Sequence, residues 1–179
     1  MSELDLAALQ TGLLHLIKGR AASESFTDDY LRRVAACSQL EVVREIVQWW
    51  CRQTVTAAAP FTGRLLVRLQ RLDLVTAELS SRDDLTPFRS AQTLQCLSGL
   101  RSDPNPLLAA LANFESQLLR VAASADEGPL VTDWPCDPYE ALHALLRGGP
   151  LPATDDGIHF TEVGSAIPGL FRVVTTTPG

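Results

Sequence analysis

The chain has 179 residues, 46% hydrophobic and 20% charged, with a formal net charge of −6. That length suits one domain, or one domain with a small appendage, and is enough to bury a self-sufficient core. The acidic balance, without a basic run, argues against a nucleic-acid partner, because phosphate neutralisation needs clustered Lys and Arg. No stretch approaches the roughly 20 apolar residues of a membrane-spanning helix, so no membrane role is expected.

The opening MSELDLAALQ lacks the positive and apolar regions of a signal peptide, which makes a cytoplasmic location the expectation. The four cysteines, Cys37, Cys51, Cys96 and Cys136, have no metal-ligand spacing and read as free thiols of a reducing compartment.

Leu4 to Ile17 places Leu6, Leu9, Leu13, Leu14 and Ile17 on one helical face, and Lys18-Gly19-Arg20 ends it. Thr27 is a candidate N-cap for a short helix running towards Cys37. Leu40 to Val55 follows, with Val43, Ile46, Val47, Trp50 and Val55 as a broad apolar face. Trp49 and Trp50 cannot both face one core, so one is expected inside and the other at an edge or interface.

Ala57 to Pro60 breaks that helix, and Thr62 to Leu79 is predicted as the next, its stripe being Leu65, Leu66, Leu69, Leu72 and Val75. Arg64, Arg68 and Arg71 share its other face. They form a solvated row, or one able to grip a carboxylate-bearing partner. A further helix is expected after Thr86-Pro87, with Phe88, Ala91, Leu94, Leu97 and Leu100 inward.

Asp103-Pro104-Asn105-Pro106 is a stop followed by a start, with Asn105 as N-cap. Leu107, Leu108, Leu111, Phe114, Leu118 and Val121 then recur at spacings of three and four, with Glu115 near the stripe. After Asp126 to Pro129 the pattern changes. Leu130–Trp134 reads as a strand, and Asp137 caps a helix stopped at Gly148-Gly149-Pro150. Ile158 to Val163 alternates, with Ile158, Phe160 and Glu162 on one side and His159 and Thr161 on the other. Leu170 to Thr175 is a last strand.

The fold class expected is therefore mainly α with a small C-terminal α+β unit. A helical N-terminal bundle (residues 1–126) precedes a short three-stranded sheet (residues 127–179) packed on the helical part. His15, His143 and His159 are isolated in sequence, Asp155-Asp156-Gly157 reads as a turn, and no Gly-rich phosphate loop or nucleophile elbow is present. No catalytic or metal-ligating residue is assigned. An enzyme would need a site assembled from scattered residues such as Glu115, Cys136 and His143.

The order of PNPLLAALANFESQLLRV, a strand ending in Trp134, and IHFTEVGSAIPGLFRVV resembles the small partner proteins of multinuclear non-haem iron-dependent oxidases. The likeness rests on Pro106, Leu107, Phe114, Glu115, Val131, Trp134, Ile167, Pro168, Leu170, Phe171 and Val173. It implies a non-catalytic accessory subunit in ribosomal-peptide modification of the methanobactin or 3-thiaglutamate kind. Such a subunit binds the leader of a precursor peptide and a TIM-barrel oxidase that carries the iron, with no cofactor in this chain. An extended leader pairs with a sheet edge, which points to Ile158, Phe160, Leu170, Phe171 and Val173 for the peptide. Trp49, Arg64 and Arg68 are the expected partner interface. The competing expectation is a helical adaptor unrelated to peptide modification.

Overall fold

The computed structural model describes residues 6–20, 26–81, 89–123, 129–167 and 170–176, with the backbone alone from residue 165 onwards. The chain is mainly helical with a small antiparallel sheet. It divides into two compact units, Met1–Cys51 and Arg52–Gly179, the boundary falling within one helix. The boundary expected near residue 126 falls inside the second of these units. The helix over Pro106–Ala123 packs on other helices and on the sheet alike, so both lie in that unit.

In the first unit, α1 (Leu6–Ile17), α2 (Asp29–Ala35) and the start of α3 (Gln39–Ala58) surround Leu16, Leu31 and Leu40. Leu9, Leu13, Ile17, Phe26 and Val34 pack around these three. Gly12 leaves room for the Leu31 side chain, where any Cβ would clash. Leu6, expected in the stripe, is exposed. The α2 cap is Asp28 rather than Thr27: its Oδ1 accepts from the N–H groups of Tyr30 (2.8 Å) and Leu31 (3.0 Å). Arg44 Nε donates to the Leu16 carbonyl at 2.8 Å, fastening α3 to the end of α1.

The face predicted to bury α3 does not do so. Val43, Ile46, Val47 and Trp50 are exposed, and only Val55 of that set is buried. Periodicity identifies an apolar face but not what covers it. Trp49 is exposed too, its ring centroid 6.2 Å from that of Trp50, so neither indole is core.

The second unit takes in the end of α3 and continues with α4 (Pro60–Arg68) and α5 (Asp73–Ser80), where one helix was expected. Gln70 stands between them in the left-handed region at φ 55°. The Gln70 N–H bonds to the Val67 carbonyl (3.1 Å) and the Arg71 N–H to the Leu66 carbonyl (2.8 Å), the two bonds of a Schellman C-cap. The stripe continued through the break because Leu65, Leu66 and Val75 all enter the core. Arg71 then forks onto Asp103, with Nη1–Oδ1 at 3.0 Å and Nη2–Oδ2 at 2.8 Å.

α6 (Arg89–Leu100) buries Thr93, Cys96, Leu97 and Leu100, a face rotated from the expected one, while the expected Thr86, Pro87 and Phe88 lie outside the described residues. α7 (Pro106–Ala123) is the central helix. Asn105 caps it as expected, its Oδ1 accepting from Leu108 N–H at 3.0 Å. Leu107, Leu108, Leu111, Phe114 and Val121 are buried, but so are Glu115, Ser116 and Gln117, because α4, α6 and the sheet cover different sides. α8 (Pro138–Arg147) lies between β1 (Leu130–Trp134) and β2 (His159–Ile167), and β3 (Leu170–Thr176) closes the chain order.

The sheet runs β1-β2-β3, antiparallel throughout, with Trp134 opposite His159 and Val163 paired to both Leu130 and Val173. A register shift falls between Gly164 and Ile167.

Two stability outcomes follow from this packing. Phe114→Ala should cost about 3–5 kcal/mol in a denaturant titration, the range for a buried aromatic truncation. Gln70→Gly should raise stability by about 0.5–1 kcal/mol, because glycine adopts the left-handed region without the Cβ penalty yet loses more entropy on folding. The readout is the midpoint of the same titration.

Candidate functional site

The best-built polar site lies where α7 meets the start of α4. Ala59, the residue before Pro60, offers no side-chain cap. Glu115 supplies it from a different helix: Oε1 accepts from the Phe61 N–H at 2.9 Å and Oε2 from the Thr62 N–H at 2.7 Å. The carboxylate thus takes two of the N–H groups that a helix N-terminus leaves unpaired. Burial pushes the Glu115 carboxyl above its ordinary value, and the Thr62 and Phe61 donors pull it back only in part. The geometry is a structural clamp, since both oxygens are already committed.

Asp103 is a second anchor. Burial alone would raise it, but the Arg71 guanidinium and the Asn105 N–H (2.9 Å) outweigh that and hold its carboxyl below the ordinary range. Together they fix the turn between α6 and α7 to the end of α4.

The sheet meets α7 through a polar face. Thr132, His159, Thr161 and Val163 are buried with Trp134. Asn113 Nδ2 donates to Thr132 Oγ1 (3.0 Å), Gln117 Nε2 to the Val131 carbonyl (2.7 Å), and Trp134 Nε1 to Thr161 Oγ1 (2.9 Å). Phe114 meets Trp134 edge to face, centroids 5.4 Å apart. The alternation predicted for β2 is present, and its polar side is the buried one.

The five expected peptide-binding residues fall in three places. Ile158 is exposed and precedes β2. Phe160 is half-buried in β2, which is the central strand and pairs on both sides, so that strand offers no edge. This corrects the expectation that the Ile158 strand could receive a peptide. Leu170, Phe171 and Val173 lie in β3, a terminal strand of the sheet, with side chains outside the described residues.

Of the expected interface, Arg64 is engaged within the chain. Its Nη1 donates to the carbonyls of Leu145 (3.0 Å) and Leu146 (2.8 Å), closing the last turn of α8. Arg68 and Trp49 are exposed.

His159 Nε2 bonds to Asp155 Oδ1 at 2.8 Å, and Gly157 N–H donates to the same oxygen at 2.7 Å, which closes the Asp155-Asp156-Gly157 turn. The His159 contact, with the Gly157 N–H, holds Asp155 below the ordinary carboxyl range. Cys136 is buried, and burial together with Asp155, Asp137 and Glu140 pushes its thiol up to about 11. It is therefore a thiol and not a nucleophilic thiolate at neutral pH. Among the described residues no group of three or more His, Cys, Asp or Glu is placed to hold a metal, and no helix is long and apolar enough to cross a membrane.

One surface feature escaped the sequence reading. Tyr139 is 71% exposed and stacks on His143, centroids 6.0 Å apart, beside an open groove of about 530 Å³ that Arg147, Pro150 and Pro152 also line. The signal was the i, i+4 spacing of the two rings on α8.

No family model matches the chain, and no curated protein matches it.

Glu115→Gln should destabilise the fold by about 1–3 kcal/mol, because the amide nitrogen faces a backbone N–H and leaves it unpaired. The folded state holds the Glu115 proton more tightly than the unfolded chain does. Its contribution to stability is then fully present below the ordinary 4.5 and falls away as pH rises through the folded-state value. The stability gap between wild type and variant should accordingly be widest in acid and narrow towards neutral pH. Paired urea titrations across pH measure it.

Proposed function

We propose that this chain is a non-catalytic, peptide-recruiting accessory subunit of a multinuclear non-haem iron oxidase. The oxidase is a separate TIM-barrel protein, and the iron and the cysteine chemistry belong to it. The observation that carries the reading is a small antiparallel sheet backed by α7, with β3 at one end of it. A terminal strand presents unpaired N–H and C=O groups, which an extended peptide satisfies by adding a strand. β3 is favoured over the other terminal strand. β1 has five residues, and its Val131 carbonyl already accepts from Gln117. Leu170, Phe171 and Val173 are then the peptide-facing positions of the proposal.

The oxidase docks on exposed helical surface of the same chain, with Arg68 available to a carboxylate. The exposed apolar face that includes Trp49 favours the coarser alternative, a protein-interaction module without a peptide enzyme.

Successive N–H groups of a strand point to opposite sides, so Arg172→Pro and Val173→Pro remove one outward donor and one ladder donor. Of the two, the variant that still melts like wild type should lose binding of a fluorescent leader peptide, measured by anisotropy. The leader is that of a short cysteine-containing open reading frame beside the gene, and a neighbourhood without one counts against the proposal. Unchanged binding in a folded proline variant of each position would remove β3 as the receiving edge.

A further inference from the structure

We propose that the apolar face of α3 is a self-association surface, on which a second copy of the chain lays its own α3 antiparallel about Ile46. Val42, Val43, Ile46, Val47, Trp49 and Trp50 are all exposed, Ile46 at 59% and Trp49 at 57%. At about 100° per residue these six fall on one side of the helix, whereas Glu41, Arg44 and Gln48 fall on the other. Arg44 is turned to the Leu16 carbonyl and to Glu41, so no charge interrupts the face.

Between residues 41 and 50, Arg44 alone is not exposed, so this part of α3 leaves much of its apolar side-chain surface open. Helices in water depend on the burial of an apolar face for most of their stability. The face leaves on the order of 500 Å² of apolar surface open, the size that on a monomer marks an interaction site. Two such faces together bury about 1,000 Å², the lower bound for a specific interface.

The spacing of the face fits a copy of itself. Its apolar positions are nearly symmetric about Ile46, with Val42-Val43 before it and Trp49-Trp50 after at equal distances; Val47 alone mirrors a polar residue, Glu45, at the flank. In an antiparallel pair centred there, Ile46 meets Ile46 of the second copy. Val42 meets its Trp50, and Val43 meets its Trp49. Each small side chain then faces a large one, which is how a close-packed layer fills its volume. A parallel pair would set tryptophan against tryptophan and valine against valine. A two-fold contact of this kind is isologous and closes at two copies.

Sedimentation equilibrium of the purified full chain tests the proposal. The expected result is a mass of two chains at high concentration that falls to one on dilution. Ile46→Glu and Trp49→Glu should each weaken association at least tenfold while leaving the circular dichroism spectrum unchanged. In a Cys37→Ser background, Ile46→Cys should cross-link copy to copy on mild oxidation, and Gln48→Cys, on the opposite side of α3, should not. A chain that stays monomeric at every concentration overturns the proposal. So does a dimer that persists in both charged variants, or equal cross-linking at residues 46 and 48. A monomer that binds the oxidase through this face, with binding lost in Trp49→Glu, also overturns it and gives the face to the oxidase.

Discussion

The second unit depends on one carboxylate placed at the foot of a helix that is not its own. Glu115 projects from the middle of α7 and takes the Phe61 and Thr62 N–H groups of α4. Burial makes that charge costly, and the two donors at a helix N-terminus offset part of the cost. Because the bond joins α4 to α7, it sets how α7 is rotated. That rotation decides which residues of α7 face α6 and which face the sheet. Leu111 and Phe114 enter the core, and Asn113 and Gln117 are delivered to β1.

The sheet is held by polar complementarity as much as by apolar burial. Its inner face presents Thr132 and Thr161, each with a hydroxyl in a hydrogen bond, and Trp134 supplies both a ring to Phe114 and an N–H to Thr161. A buried threonine face is stable only where every hydroxyl finds a partner. This pairing also explains the position of β3. With β2 in the centre and β1 tied to α7, the strand left at the other end is the one formed by Leu170–Thr176.

α3 obeys a different constraint. Its ends are anchored, at Leu40 in the first unit and at Val55 in the second, while the stretch between is open. Such a helix carries its apolar face as surface, the face proposed for self-association. The strand proposed to receive a peptide and this face lie in different units, so the two proposed roles draw on separate residues.

The sequence by itself determined several helix ends. Asn105, Asp137 and Gly148 sit at their caps because capping is local chemistry: a side chain or a left-handed glycine meets backbone groups two to four residues away. It also determined the alternation of β2 and the helical stripe of α7. Three things were decided only by tertiary structure. The break at Gln70 was invisible because the stripe runs on through it, and Arg71 is fixed by Asp103, 32 residues away. The buried side of β2 is the polar one because Asn113 and Trp134 pair with its surroundings. The apolar stripe of α3 was read as core, yet whether such a stripe is core or surface depends on what packs against it. Periodicity within one element carries no information about a neighbour that the fold does not bring there.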